Sequence, residues 1–321
     1  GAQANHLRVD RPVPGHNYSW SVWDIRCDDS EIIPWFDFAH HDRFVLHGAG
    51  YSVRYQAGLD ARLHGIYSDD YITTEVLTGH PAMASSPFSR DVVRKYWLTH
   101  DLMRALALRR IEEFSFVDDD LHRQYVKWSD GGHVWVNRSQ GDWEVEGEEI
   151  PSFGFLAHVD TDQGPITAAI CRRDNLIVET AKGEGRLYVN ARQSRGIELV
   201  GQNDNITDLH WTPKRTGPDP FLDRNNPKSV PVDFGPVLTS GGCRLVRQQD
   251  GISLIPLPDS EQAGTKFTVR WTELGWFSDQ PTHIEYIDED GHVLQTATAG
   301  SPLTVEARKG VFAYRIVTRD Q

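Results

Sequence analysis

Tyr125-Val126-Lys127-Trp128-Ser129-Asp130-Gly131-Gly132-His133-Val134-Trp135-Val136-Asn137 is the stretch that decides the fold class. Two short runs of β-branched and aromatic residues flank a Ser-Asp-Gly-Gly cluster, the chemistry of a tight reversal, and the whole predicts a β-hairpin. Downstream, Trp143-Glu144-Val145-Glu146 alternates again, and Ile150 to Val159 gives a further strand after a bend marked by Pro151. Strand-like runs continue at Ile166 to Cys171, Leu176 to Thr180, Arg186 to Asn190 and Gly196 to Val200. Short strands at even spacing with turn residues between them predict a β-sandwich over residues 121–210.

Trp211 to Pro231 is rich in Pro, Asp and Asn, the composition of a long loop or linker. Beyond it, strand-like runs recur from Cys243 to Val317, with an Asp288-Glu289-Asp290-Gly291 turn among them. Residues 211–321 therefore read as a second, immunoglobulin-like sandwich.

Before about residue 120 the character is α/β. Ser30 to Ala39 reads as a short buried segment, and Asp42 to Gly50 as another ending in glycines. Ser68 is placed to N-cap a helix whose first turn carries Asp69 and Asp70 and whose C′ glycine is Gly79. A second helix starts near Ser89 and runs to about Arg110, with Val93, Tyr96, Trp97, Met103, Leu106 and Ala107 at helical spacing.

Ten Trp, ten Tyr and thirteen Phe in 321 residues give the chain enough apolar surface to offset its conformational entropy, so disorder is excluded. Apolar runs fall short of the roughly 18 residues a membrane helix needs. A net charge of -13 works against a phosphate backbone or an anionic bilayer, so neither nucleic acid nor membrane is an expected partner. Cys27, Cys171 and Cys243 are too widely spaced for a CxxC metal pair and allow at most one disulfide. The sequence carries N-x-S/T sequons at Asn17, Asn137 and Asn205, and its first residues lack the pattern of a signal peptide.

Chemistry concentrates at Asp37-Phe38-Ala39-His40-His41-Asp42, just after the apolar run from Ile32. At the C-terminal end of a barrel strand, carboxylates and imidazoles such as these act as acids, bases or sugar-hydroxyl partners. Trp20, Trp23 and Trp35 crowd the same end and suit stacking on the C–H face of a pyranose. Candidate catalytic residues are Asp37, Asp42, Asp69 and Asp70; candidate substrate contacts are Trp35, His40, His41, Trp20 and Trp23. For Asp69 and Asp70 a place in a helix first turn suffices as the explanation. GxSxG, GxGxxG and P-loop motifs are missing, and no spaced ligand set for a metal is present, so neither cofactor nor metal is expected.

The run Ile33 to Asp42, the stretch Ser68 to Gly79, and Gly132-His133-Val134-Trp135-Val136-Asn137-Arg138 with Trp143 and Ile150 to Ala157 together resemble the closing part of bacterial TIM-barrel glycoside hydrolases. The first run is similar to the last barrel strand and its loop, the last to the β-sandwich that follows. The resemblance implies a partial (β/α) barrel segment over residues 1–120, followed by two β-sandwich domains. A complete barrel takes at least about 200 residues, so the front of the barrel, with the usual nucleophile and acid, would lie on a missing N-terminal segment or on a different chain.

Two functions stay open. One is a glycoside hydrolase, or the C-terminal part of one, cleaving a complex glycan by carboxylate acid/base chemistry. The other is a non-catalytic carbohydrate-binding or assembly module. The expected partner is an oligosaccharide or polysaccharide, or for an assembly module the rest of a larger protein; the compartment stays open, with a secreted or periplasmic setting favoured over the cytoplasm.

Overall fold

The computed structural model describes residues 35–43, 45, 67–82, 84, 89–139, 141–173, 176–194, 199–200, 214–215 and 230–318. Four helices are present among them: α1 (Trp35–His40), α2 (Asp69–Thr78), α3 (Arg90–Leu106) and α4 (Trp271–Leu274). The strands of the first half are β1 (Ile111–Phe116), β2 (Arg123–Trp128), β3 (Gly132–Asn137), β4 (Trp143–Val145), β5 (Glu148–Ile150), β6 (Gly154–Val159), β7 (Ile166–Arg173), β8 (Leu176–Gly183) and β9 (Arg186–Ser194). Then come β10 (Leu199–Val200), β11 (Lys214–Arg215), β12 (Val232–Asp233), β13 (Val237–Thr239), β14 (Gly242–Arg247) and β15 (Gly251–Pro256). The last are β16 (Lys266–Val269), β17 (Pro281–Ile287), β18 (Val293–Thr298), β19 (Leu303–Glu306) and β20 (Ala313–Thr318).

The fold is mostly β, and every ladder among the described residues is antiparallel. One large sheet runs β1-β2-β3-β6-β7-β8-β9-β14-β15-β20-β17-β18, with the β4–β5 hairpin attached through β7. A small sheet, β12-β13-β16-β19, lies apart from that path. The β2–β3 hairpin is the one the sequence predicts: Trp128 pairs with Gly132, and Asp130 and Gly131 take φ 60° and 76° in the turn.

The sequence places one sandwich before residue 210 and another after it. In the structure β9 hydrogen-bonds to β14 from Gly242 opposite Asn190 to Val246 opposite Arg186, so a single sheet passes through both halves. Most of Trp211 to Pro231, the predicted linker, lies outside the described residues.

Each half buries a different face of that sheet. In the first, α2 (Ile72, Val76, Leu77) and α3 (Leu98, Leu102, Met103, Leu106) cover Val126, Trp128, Val134, Val136, Phe155, Ala157 and Ile170. In the second, the small sheet's Val237, Phe267, Val269, Leu303 and Val305 meet Cys243, Leu245, Leu254, Ile284, Tyr314 and Ile316. Strand alternation lets the middle strands serve both: on β7, Ala168 and Ile170 belong to the first core, Ala169 and Cys171 to the second.

The helix ends follow the sequence closely at α2. Ser68 Oγ accepts from the Tyr71 N–H at 3.1 Å, and Gly79 adopts φ 67° as the C′ residue. A Cβ on Gly79 would stand 2.7 Å from both His41 Nε2 and Trp128 Cη2, so close approach as well as backbone conformation requires glycine there. Ser89 caps α3 through Val92, but the helix ends at Leu106 rather than near Arg110, because β1 claims the chain from Ile111. Met103 and Leu106 of the expected stripe are buried, but Tyr96 is exposed and stacks on His100; Leu98 and Leu102 complete the buried face, with Arg94 and Lys95 buried beside them.

A larger departure concerns Trp35 to His40. The run similar to a last barrel strand forms helix α1. Its six residues include no β-branched side chain, and Asp37 in the first turn and His40 in the last suit the helix dipole.

Candidate functional site

The candidate residues fall into separate groups. Trp20 and Trp23 lie outside the described residues, as do the side chains of Trp35 and Asp70. Asp37 is fully buried and its Oδ1 accepts from His80 Nε2 at 2.5 Å, while its Oδ2 is buried without a hydrogen-bond partner. His41, also buried, reaches the Arg109 carbonyl through Nδ1 at 2.8 Å and lies 3.3 Å from the Gly79 carbonyl through Nε2. Burial pulls its pKa down, more than those carbonyls and Asp37 raise it. A neutral imidazole has one N–H, and the shorter contact places it on Nδ1. His41 thus pins α1 to the end of α2 and to the turn before β1. His40 is half-buried, and Asp42 is exposed, 3.8 Å from Arg43.

Asp69 sits at the opposite end of α2 from this group. At 1.5 Å per residue the ten-residue helix from Asp69 to Thr78 is about 15 Å long, and His80, the partner of Asp37, lies just past its far end. Glycosidase carboxylate pairs are about 5–9.5 Å apart, so Asp37 and Asp69 are not brought together as one.

Asp69 instead belongs to a buried ion network. Its Oδ1 accepts from Arg94 Nη2 at 2.7 Å and its Oδ2 from Arg192 Nη1 at 2.8 Å. Arg94 Nε donates to Glu179 Oε1 at 2.6 Å, while Tyr188 Oη–H and Asn190 Nδ2–H donate to Glu179 Oε2 at 2.8 and 3.0 Å. Burial alone would push the Glu179 carboxyl up; the guanidiniums of Arg94 and Arg192 and these hydrogen bonds outweigh it and hold it at about 2. A carboxylate held so low cannot donate a proton at neutral pH. Among the described residues two arginines face two carboxylates, and the cluster ties α2 and α3 to β8 and β9. Lys95 and Glu75, 2.7 Å apart and both buried, repeat the arrangement on the same helices.

The other concentration of functional chemistry lies on the face of the large sheet opposite the helices. Alternation puts Val126, Trp128, Val134 and Val136 inward, so Tyr125, Lys127, His133 and Trp135 face out, and the register sets Trp135 beside Tyr125 and His133 beside His158. Four half-buried rings make one continuous surface. Tyr125 and Trp135 have centroids 5.2 Å apart, Trp135 and His133 are near-parallel at 5.6 Å and 12°, and His158 lies 4.8 Å from His133 and 5.4 Å from Trp135. Across three strands at about 4.8 Å spacing, the platform is about 10 Å wide. The β4–β5 hairpin packs Trp143, Val145 and Ile150 against Trp135 and Leu156 and walls one side. At its tip Glu146 (φ 51°) and Gly147 (φ 83°) make a left-handed turn that holds the Glu146 carboxylate 3.6 Å from His158.

Burial, then Glu113 and Glu146, push the Tyr125 phenol up, so it keeps its proton and donates to His133 Nδ1 at 2.7 Å. Burial, then His158, pull His133 down, which makes it a neutral ring with its proton on Nε2.

Sequence reasoning identified the strands here but not the platform. The signal was the alternation within the hairpin itself: Tyr125 and Lys127 on one strand and His133 and Trp135 on the next share a face that their aliphatic neighbours leave. At the far end of the fold, Asp288, Asp290 and His292 converge within 4.8 Å, but this is a turn in which Asp288 Oδ1 accepts from the N–H groups of Asp290 and His292, and that bonding accounts for the geometry. Comparison with family models, curated proteins and solved structures finds no match for this chain.

Proposed function

We propose that this chain binds a glycan non-catalytically, on the ring surface of Tyr125, His133, Trp135 and His158. The carrying observation is that continuous surface of four half-buried rings, exposed on one face of a rigid sheet. Pyranose C–H faces stack on such rings, while a neutral imidazole and nearby carboxylates bond the hydroxyls. A surface about 10 Å wide accommodates one or two sugar rings.

Hydrolysis has weaker support within the described residues. Asp37 is committed to His80, Asp69 to two arginines, and Glu179 is held ionised out of solvent. The resemblance to the closing part of a glycoside hydrolase fits a binding role beside a catalytic unit, with residues 1–120 as the barrel end in this reading.

Affinity electrophoresis through gels carrying a panel of soluble polysaccharides tests the proposal. Retardation by at least one of them is expected, weakened about tenfold or more in Trp135→Ala and in Tyr125→Ala, a loss of about 1.4 kcal/mol. Both variants are checked for an unchanged thermal midpoint, since Trp135 also packs on the hairpin. Equal retardation of wild type and both folded variants overturns it. Release of reducing ends, abolished by Asp37→Asn or Asp42→Asn, establishes the hydrolase instead.

A further inference from the structure

The charges around the platform narrow its ligand, provided that the glycan-binding reading holds. Glu113 on β1 stands opposite Lys127, Glu146 projects from the hairpin turn, and Asp160 follows β6. Tyr125 senses Glu113 and Glu146; His133 senses His158, Glu146, Lys127 and Asp160. Lys127 Nζ lies 3.2 Å from Glu112 Oε2, which occupies the nearby ammonium. Ring faces and carboxylates favour the same kind of guest: the negative face of an aromatic ring attracts a cation, and carboxylates at its rim add to the attraction. The same field repels a carboxylate-bearing sugar and is indifferent to a neutral one.

We propose that this face selects cationic glycans, an amino sugar whose ammonium sits over the rings of Tyr125 and Trp135 and among Glu113, Glu146 and Asp160. Uronic acid polymers are excluded by the same three carboxylates. The left-handed backbone at Glu146 fits this assignment: a glycine or asparagine would adopt that turn with less strain, yet it holds a glutamate aimed at the ring surface.

The test compares three oligomers of matched length by titration calorimetry on the full chain: glucosamine, N-acetylglucosamine and galacturonate. At about pH 6 and low salt the glucosamine amines are protonated and the attraction to the carboxylates is least screened. Expected is a glucosamine affinity about tenfold or more above that of the N-acetylated oligomer, shrinking toward parity in about 0.5 M NaCl, with galacturonate weakest. In Glu113→Gln/Glu146→Gln/Asp160→Asn the ratio of glucosamine to N-acetylglucosamine affinity falls to about one. Equal or tighter binding of the neutral or uronate oligomer by wild type overturns the cationic preference and leaves glycan binding standing. No binding of any oligomer or of the polysaccharide panel overturns both.

Discussion

Glu179→Gln is the perturbation with the clearest expected size. The wild-type carboxyl is held at about 2 against an ordinary 4.5. At about 1.4 kcal/mol per pH unit, that difference makes its ionised form worth about 3 kcal/mol to the folded state at neutral pH. Because the folded-state value is depressed, this stability is present above pH 4.5 and is lost as pH falls from about 4.5 to about 2. Replacing the carboxylate by an amide takes away the charge that Arg94 and Arg192 both face in the buried network, and breaking a buried ion pair from one side costs about 3–5 kcal/mol. Urea unfolding, followed by tryptophan fluorescence with circular dichroism as the coincidence check, should show a destabilisation of that size at neutral pH. The variant should also show a flatter pH profile over the acid range. Arg94→Met combined with Glu179→Leu removes one charge of each sign and should cost less than the two single changes added together, by about 2 kcal/mol. A Glu179→Gln variant within about 1 kcal/mol of wild type, or with an unchanged acid slope, would refute the argument that the Glu179 carboxylate holds this network together.

Two further predictions concern packing. Gly79→Ala combines a left-handed backbone with a Cβ 2.7 Å from the His41 and Trp128 rings, and should lower stability by about 2–4 kcal/mol in the same urea assay; near-wild-type stability would show that both rings yield. Burial raises the Cys171 thiol to about 12 and the Cys243 thiol further. Mass-mapped alkylation should therefore leave both unlabelled in the native protein and label both fully in denaturant, and native labelling of either would show that the second core opens.

What could be read from the sequence was local. Ser68, Gly79 and Ser89 mark helix ends through bonds within a few residues, and the hairpin at Tyr125 to Asn137 shows in two adjacent runs and the turn between them. What could not be read depends on partners far along the chain. A helix first turn suffices to explain Asp69 in the sequence, and its place in a buried ion network shows only where Arg94 and, more than a hundred residues later, Arg192 reach it. Alternation in the hairpin defines two faces, but which of them the helices cover is set by α2 and α3 docking, so the ring platform was hidden in a pattern already identified. Pro34-Trp35-Phe36 misled because a short aromatic run has no period long enough to separate strand from helix.

The ladder between β9 and β14 joins the two halves of the protein by hydrogen bonds as well as by covalent chain. Since β7 to β9 also lend opposite faces to the two cores, neither half can shed its partner without baring apolar surface. Covalent continuity across residues 201–229 is therefore not what keeps the halves together. Two polypeptides, 1–200 and 230–321, expressed together should reassemble into one particle that elutes as a unit and comes apart only when the sheet itself melts, as split reporters do.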